Sequence, residues 1–164
     1  MDHESPWLAD EHQRVWRRWL TMNAQLSAAL HRQLQSDSGL SMQDFAVLVH
    51  LSDAAEGRVR ISTLAEALQW ERSRLSHHIK RMEARGLIER QECPDDGRGA
   101  FVGLTATGRA AIVRAAPSHA RTVRDLVFAD LSKQELAVLE TFTDGVLNRL
   151  GPATSPCDEP ACDS

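Results

Sequence analysis

The stretch from Ser62 to Leu104 constrains this chain most, because its apolar periodicity changes at fixed points. Ser62, Leu64, Ala65 and Leu68 suit a short helix, capped by Ser62 and closed at Trp70. After a tight turn, Leu75, Ile79 and Met82 recur at helical spacing as the buried face of a second helix, starting near Glu71 or Ser73. Gly86 is placed to take the left-handed conformation that stops it. Leu87–Glu92 and Ala100–Leu104 then read as two strands, and Cys93-Pro94-Asp95-Asp96-Gly97-Arg98-Gly99 between them is dense in turn residues. A close helix pair followed by a β-hairpin is the result.

The flanking segments are helical. Val15, Trp16, Trp19, Leu20, Leu26, Leu30 and Leu34 make one apolar stripe over 8–35, longer than a small domain needs for its own core, so a partner chain is expected along it. Ser41 and Asp44 form a capping box for a second helix with Met42, Phe45, Leu48 and Val49, broken by Gly57. Val59 and Ile61 alternate with Arg58 and Arg60 as a very short strand. Thr105 caps a long helix to about Ala129, with a kink expected at Pro117, which lacks the amide donor. Ser132 and Glu135 form another capping box before Leu136, Leu139, Phe142, Val146 and Leu150. Residues 151–164, with Pro152, Pro156 and Pro160, read as a disordered tail.

This order predicts a mainly α fold with a small β-hairpin wing: a winged helix-turn-helix whose N- and C-terminal helices form a dimerisation region. One domain is expected over 1–150, with dimerisation helices at 8–35 and 106–150 and a DNA-binding lobe at 41–104 that includes the wing, 87–104. No apolar run approaches the roughly 18 to 20 residues of a membrane span. The start, Met1–Pro6, has no apolar segment of the kind a secretory signal needs, and the three cysteines, Cys93, Cys157 and Cys162, suggest no disulfide framework. A cytoplasmic protein is expected.

A net charge of −4 argues superficially against nucleic acid, but the distribution matters more than the sum. From Arg58 to Arg109, ten Lys and Arg face seven Asp and Glu, so this segment is basic and the remainder acidic. With Leu75, Ile79 and Met82 buried, helical geometry turns Arg74, His77, His78 and Arg81 away from the core. These side chains can donate to bases or phosphates. Base reading is assigned to Ser73, Arg74, Ser76, His77 and His78, and Ser62, Arg72, Lys80 and Arg81 complete the DNA-binding set on the helices. At the hairpin tip, Arg98 fits a narrow minor groove, with Asp96 steadying its guanidinium. No glycine-rich phosphate loop, nucleophile elbow or pair of carboxylates in apolar surroundings is present, so neither an enzyme nor a cofactor is expected.

Four segments together resemble the MarR family of bacterial transcriptional regulators: Ser62-Thr-Leu-Ala-Glu-Ala-Leu; Ser73-Arg-Leu-Ser-His-His-Ile-Lys-Arg-Met-Glu-Ala-Arg-Gly-Leu-Ile-Glu-Arg; Asp96-Gly-Arg98-Gly; and Leu104-Thr-Ala-Thr-Gly108-Arg. Two positions depart from the family pattern: Gly97 stands where a second basic residue is common, and Glu71 where a Ser or Asp cap is usual. The resemblance implies a homodimer on double-stranded DNA with an inverted repeat. It also implies a repressor released by a small aromatic or phenolic anion held between the dimer helices and the DNA-binding lobe. Trp16, Trp19, Met42 and Phe45 read first as core residues and are also the candidate pocket residues, and Leu20, Leu136, Leu139, Phe142 and Val146 are the candidate dimer contacts. Two other readings stand beside it. One is a winged-helix module for protein contact. The other is a regulator sensing zinc through His31, His50 and His119, or oxidants through Cys93, although family peroxide sensors place their cysteine near the first helix beside tyrosines and this chain has no Tyr.

Overall fold

The computed structural model describes residues 7–55, 57–92 and 100–151. Helix α1 (Asp10–Ser38) stops where Gly39 turns left-handed (φ 66°) and returns its N–H to the Gln35 carbonyl. Helix α2 (Met42–Asp53) begins with the expected capping box of Ser41 and Asp44 and ends ahead of Gly57. Strand β1 (Arg58–Arg60) runs directly into α3 (Ile61–Leu68). Ser62 is therefore inside the first turn of α3 rather than at its cap. Arg60 holds the cap position in an extended conformation, with no side-chain bond, because the strand delivers the chain straight into the helix.

The stop of α3 is Gln69, left-handed at φ 55°, one residue before Trp70. Helix α4 (Arg72–Ala84) follows, capped at Glu71 without a side-chain bond, and Gly86 takes the left-handed conformation beyond its end (φ 69°). Strands β2 (Ile88–Glu92) and β3 (Ala100–Leu104) pair antiparallel, with Ile88 opposite Leu104 and Glu92 opposite Ala100. The same β3 also takes β1 on its other edge, Val59 opposite Val102, giving the order β1-β3-β2. Periodicity is local and could not reveal this pairing.

Helix α5 (Ala106–Val123) starts at Thr105, whose Oγ1 accepts from the Gly108 amide and donates to the Gly86 carbonyl. This close docking excludes a side chain at 108, where a Cβ would lie 1.9 Å from the Leu87 carbonyl oxygen. The family-like segment around Thr105 and Gly108 thus joins the wing to the end of α4. Pro117 sits within α5, which is continuous through it, and a π-helical turn follows at Arg124–Phe128. The carbonyl that Pro117 cannot satisfy belongs to Val113, which is exposed, so water can bond it without a break in the helix.

The core joins Leu34, Leu40, Phe45, Leu48 and Leu51 to Leu64, Leu75, Ile79, Met82, Ile88, Val102 and Ile112. It therefore draws α1, α2, α3, α4, the wing and α5 into one lobe. Helix α6 (Lys133–Leu150), opened by the expected Ser132–Glu135 capping box, buries no residue in the isolated chain. Among the described residues, no helix is long and apolar enough to cross a membrane.

Candidate nucleic-acid interface

Helix α4 is amphipathic in the way the interface requires. Leu75, Ile79 and Met82 are fully buried, while Arg72, Ser73, Arg74, His77, Lys80 and Arg81 are exposed and Ser76 is half-buried. A helix advances about 100° per residue, so Ser73, His77 and Lys80 lie opposite the core. Arg74 and Arg81 border one side of this face, and Arg72 and Ser76 the other.

His78 does not belong to the exposed set. It is 6% exposed and faces Asp44, which is 2% exposed. The reason is angular: 78 lies a single step from the buried positions 75, 79 and 82, so its ring turns under the helix. His78 Nε2 lies 3.1 Å from Asp44 Oδ1, off line for a well-formed hydrogen bond, and Nδ1 is 2.9 Å from Arg81 Nη2. Trp70 meets the His78 ring edge-on at 5.5 Å and carries the Arg74 guanidinium over its face at 5.1 Å.

Asp44 also bonds Arg85 Nη1 at 2.7 Å and accepts from the Ser41 amide at 3.0 Å. Burial alone would raise its carboxyl. The close contact with His78 and the bonds from the Ser41 backbone and Arg85 outweigh that and hold it far below the usual carboxylate range. Arg85 reaches the Gly39 carbonyl as well, so the end of α4 is tied to the α1–α2 junction. The capping box makes Asp44 legible as a cap; its partnership with α4 depends on a contact 41 residues away in sequence.

On the opposite border a cleft of about 250 Å³ is lined by Arg60, Ile61, Ser62, Arg72, Ser76, Arg90 and Ala100. It brings the sequence candidates Ser62, Arg72 and Ser76 together and adds Arg60 and Arg90. Those two escaped the sequence reading because neither is on the recognition helix; the one available signal was their place in strands beside a basic helix. Phe101 receives the Arg58 and Arg60 guanidinium groups at 4.9 and 5.1 Å from its ring centre. Asp96 and Arg98 lie outside the described residues, as do Cys93, Cys157 and Cys162.

Within one chain the four candidate pocket residues do not converge. Phe45 is a core residue whose ring lies 4.4 Å from the His119 ring, tilted by 45°, and Met42 packs against the same core. His119 is reached from α1 by Gln33, at 3.3 Å. Trp19 instead meets Phe142 of α6, at 5.7 Å. At 1.5 Å of rise per residue, Trp19 is about 21 Å along α1 from Gln33, and Trp16, half-exposed, is farther still. Apolar periodicity put all four on inward faces but not at one level. Among the described residues, no group of three or more His, Cys, Asp or Glu is placed to hold a metal ion, and His119 is committed to Phe45 and Gln33.

The MarR family model matches residues 38–99, which covers α2 through β2. The structure of Sco3205, a MarR family transcriptional regulator from Streptomyces coelicolor in complex with DNA, superposes with a TM-score of 0.86. It is 36% identical and covers 93% of this chain and 95% of its own. This chain belongs to the MarR family. AbsC, a MarR family regulator from the same organism, is 38% identical with a TM-score of 0.83, covering 89% of this chain and 98% of its own. The HTH-type transcriptional regulator YdgJ of Bacillus subtilis is 25% identical over 107 residues, 65% of this chain and 63% of its own length. MarR membership assigns the chain to transcription regulation rather than to catalysis and accounts for the winged-helix order.

Proposed function

We propose that the protein binds specific double-stranded DNA as a homodimer in the cytoplasm, with α4 in the major groove and the wing over the adjacent minor groove. The observation that carries this is the exposed face of α4, where Ser73, Arg74, His77, Lys80 and Arg81 stand together beside the arginine-lined cleft of Arg60, Arg72 and Arg90. The N-terminal residues of a recognition helix meet base edges, so Ser73, Arg74, Ser76 and His77 read sequence, while Arg72, Lys80 and Arg81 bind phosphate. Ser62 and the wing residues Asp96 and Arg98 extend the contact. That Sco3205, the more-than-one-third-identical relative, was solved on DNA supports the reading.

The apolar surface supports the dimer. Leu20, Leu136 and Phe142 are 49%, 46% and 49% exposed, Leu139 and Val146 are only half-covered, and no residue of α6 is fully buried by its own chain. Such a face is covered by a second copy, with 8–35 and 106–150 forming the dimerisation region and 41–104 the DNA-binding lobe of one domain. Repression follows from occupancy of a promoter. Its release by a small aromatic anion is placed at the joint between these parts, where Gln33 and Asp37 of α1 bond Ser118 and His119 of α5 beside Phe45 of α2.

Filter binding of genomic fragments tests the reading. Retention of a few fragments far above bulk DNA, falling steeply with salt and weakened by Arg74→Ala, is expected. Retention no better than bulk DNA would leave the protein-contact module as the account.

A further inference from the structure

Two arginines on one border of the α4 reading face are not free rotors. Arg81 shares a 2.9 Å bond with His78 Nδ1. A guanidinium has donors only, so Nδ1 must accept, and the ring proton is then on Nε2, facing Asp44 Oδ1 at 3.1 Å. Asp44 is in turn held by the Ser41 amide and Arg85, and the Trp70 edge closes the other side of the ring. The chain of contacts Ser41–Asp44–His78–Arg81 therefore runs from the cap of α2 through the core to an exposed guanidinium. Among the described residues His78 is the one side-chain partner of Arg81.

We propose that His78 is a positioning residue for DNA binding: it takes no part in contact with DNA, and fixes Arg81 as a phosphate clamp by accepting from its guanidinium. Arg81 occupies the C-terminal half of α4, where a recognition helix rises from the base edges toward the backbone, so its contact is with phosphate. A free arginine side chain loses rotamer entropy on binding, and the bond to a buried, backed imidazole removes part of that loss beforehand. This inference rests on the proposed DNA binding.

The test uses the full-length protein and a duplex selected from a randomised pool against the wild type. His78→Asn puts its side-chain oxygen where Nδ1 stands and keeps the acceptor for Arg81. His78→Gln extends toward Asp44 and gives that acceptor up. His78→Gln is expected to weaken binding roughly 3- to 10-fold, equally on selected and random duplexes, and to lower the salt slope by about 0.9, the value of one phosphate. His78→Asn is expected to bind within about twofold of wild type, and His78→Gln to cost nothing further in an Arg81→Ala background. In 15N spectra of the free protein, Nδ1 of His78 is expected to carry the unprotonated signature. Thermal melts of each variant separate lost folding from lost binding. The proposal is overturned if Asn and Gln variants weaken binding equally, if the Gln variant binds as wild type, or if its loss persists without Arg81. It is likewise overturned if Arg81→Ala leaves the duplex bound at full affinity and salt slope, a result under which DNA binding itself still stands.

Discussion

Replacing Asp44 by Asn keeps the shape of the side chain and removes its charge. The carboxylate accepts from the Ser41 amide and Arg85 Nη1, at 3.0 and 2.7 Å, and faces His78 Nε2 at 3.1 Å. An amide offers a single oxygen and brings two donors, so at least one existing donor must then face an N–H. Removing one partner of a buried ion pair costs about 3–5 kcal/mol. Arg85 is 46% exposed at its side chain and can rehydrate, which places the expected loss toward about 3 kcal/mol. For a chain of this size that corresponds to a fall in Tm of roughly 6–12 °C, measured at fixed protein concentration because a dimer's Tm depends on it. The loss should depend on pH with a definite sign. The Asp44 carboxyl is depressed in the fold, so its contribution is complete above about pH 4, the unfolded value, and declines as pH falls further toward the folded value. The difference between wild type and Asp44→Asn should therefore be full near about pH 7 and shrink below about pH 4. A loss under about 1 kcal/mol, or one that is the same at about pH 3, would refute the argument that a charged, buried Asp44 holds α2 to α4.

Other perturbations follow from the same structure. Gly108→Ala should destabilise the fold by about 2 kcal/mol or more in urea titration, because the new methyl meets the Leu87 carbonyl oxygen; an unchanged midpoint would mean the wing junction can yield. Phe142→Asp should convert the dimer to monomers in sedimentation at micromolar concentration, and persistence of the dimer would move the interface off α6. Arg98→Ala should weaken binding mainly on duplexes with A·T-rich flanks, and equal affinity on such flanks would remove the wing tip from the contact.

What could be read from the sequence was local. Ser41 with Asp44, Ser132 with Glu135, and Thr105 declare helix starts within one turn, and all three caps are made. Leu75, Ile79 and Met82 declare the buried side of α4 by spacing alone. What escaped depends on contacts between distant segments. His78 is a borderline position on the helical wheel, and its inward ring faces Asp44 on another helix, a partner that spacing along α4 does not announce. Arg60 and Arg90 join the cleft beside α4 because β1 and β2 both pair with β3, which alternation in three residues cannot announce. Trp19 and Phe45 share an inward periodicity but lie at different heights on the fold, a distance that periodicity does not carry.

The central claim is a two-fold dimer that reads DNA with α4. Selection of duplexes from a randomised pool by the full-length protein tests it most directly. The account predicts an enriched inverted repeat with half-sites about 10 base pairs apart, centre to centre, or a multiple of that, and loss of preference at specific positions of each half-site in Arg74→Ala. Enrichment of a single asymmetric site, or none above the starting pool, would contradict it.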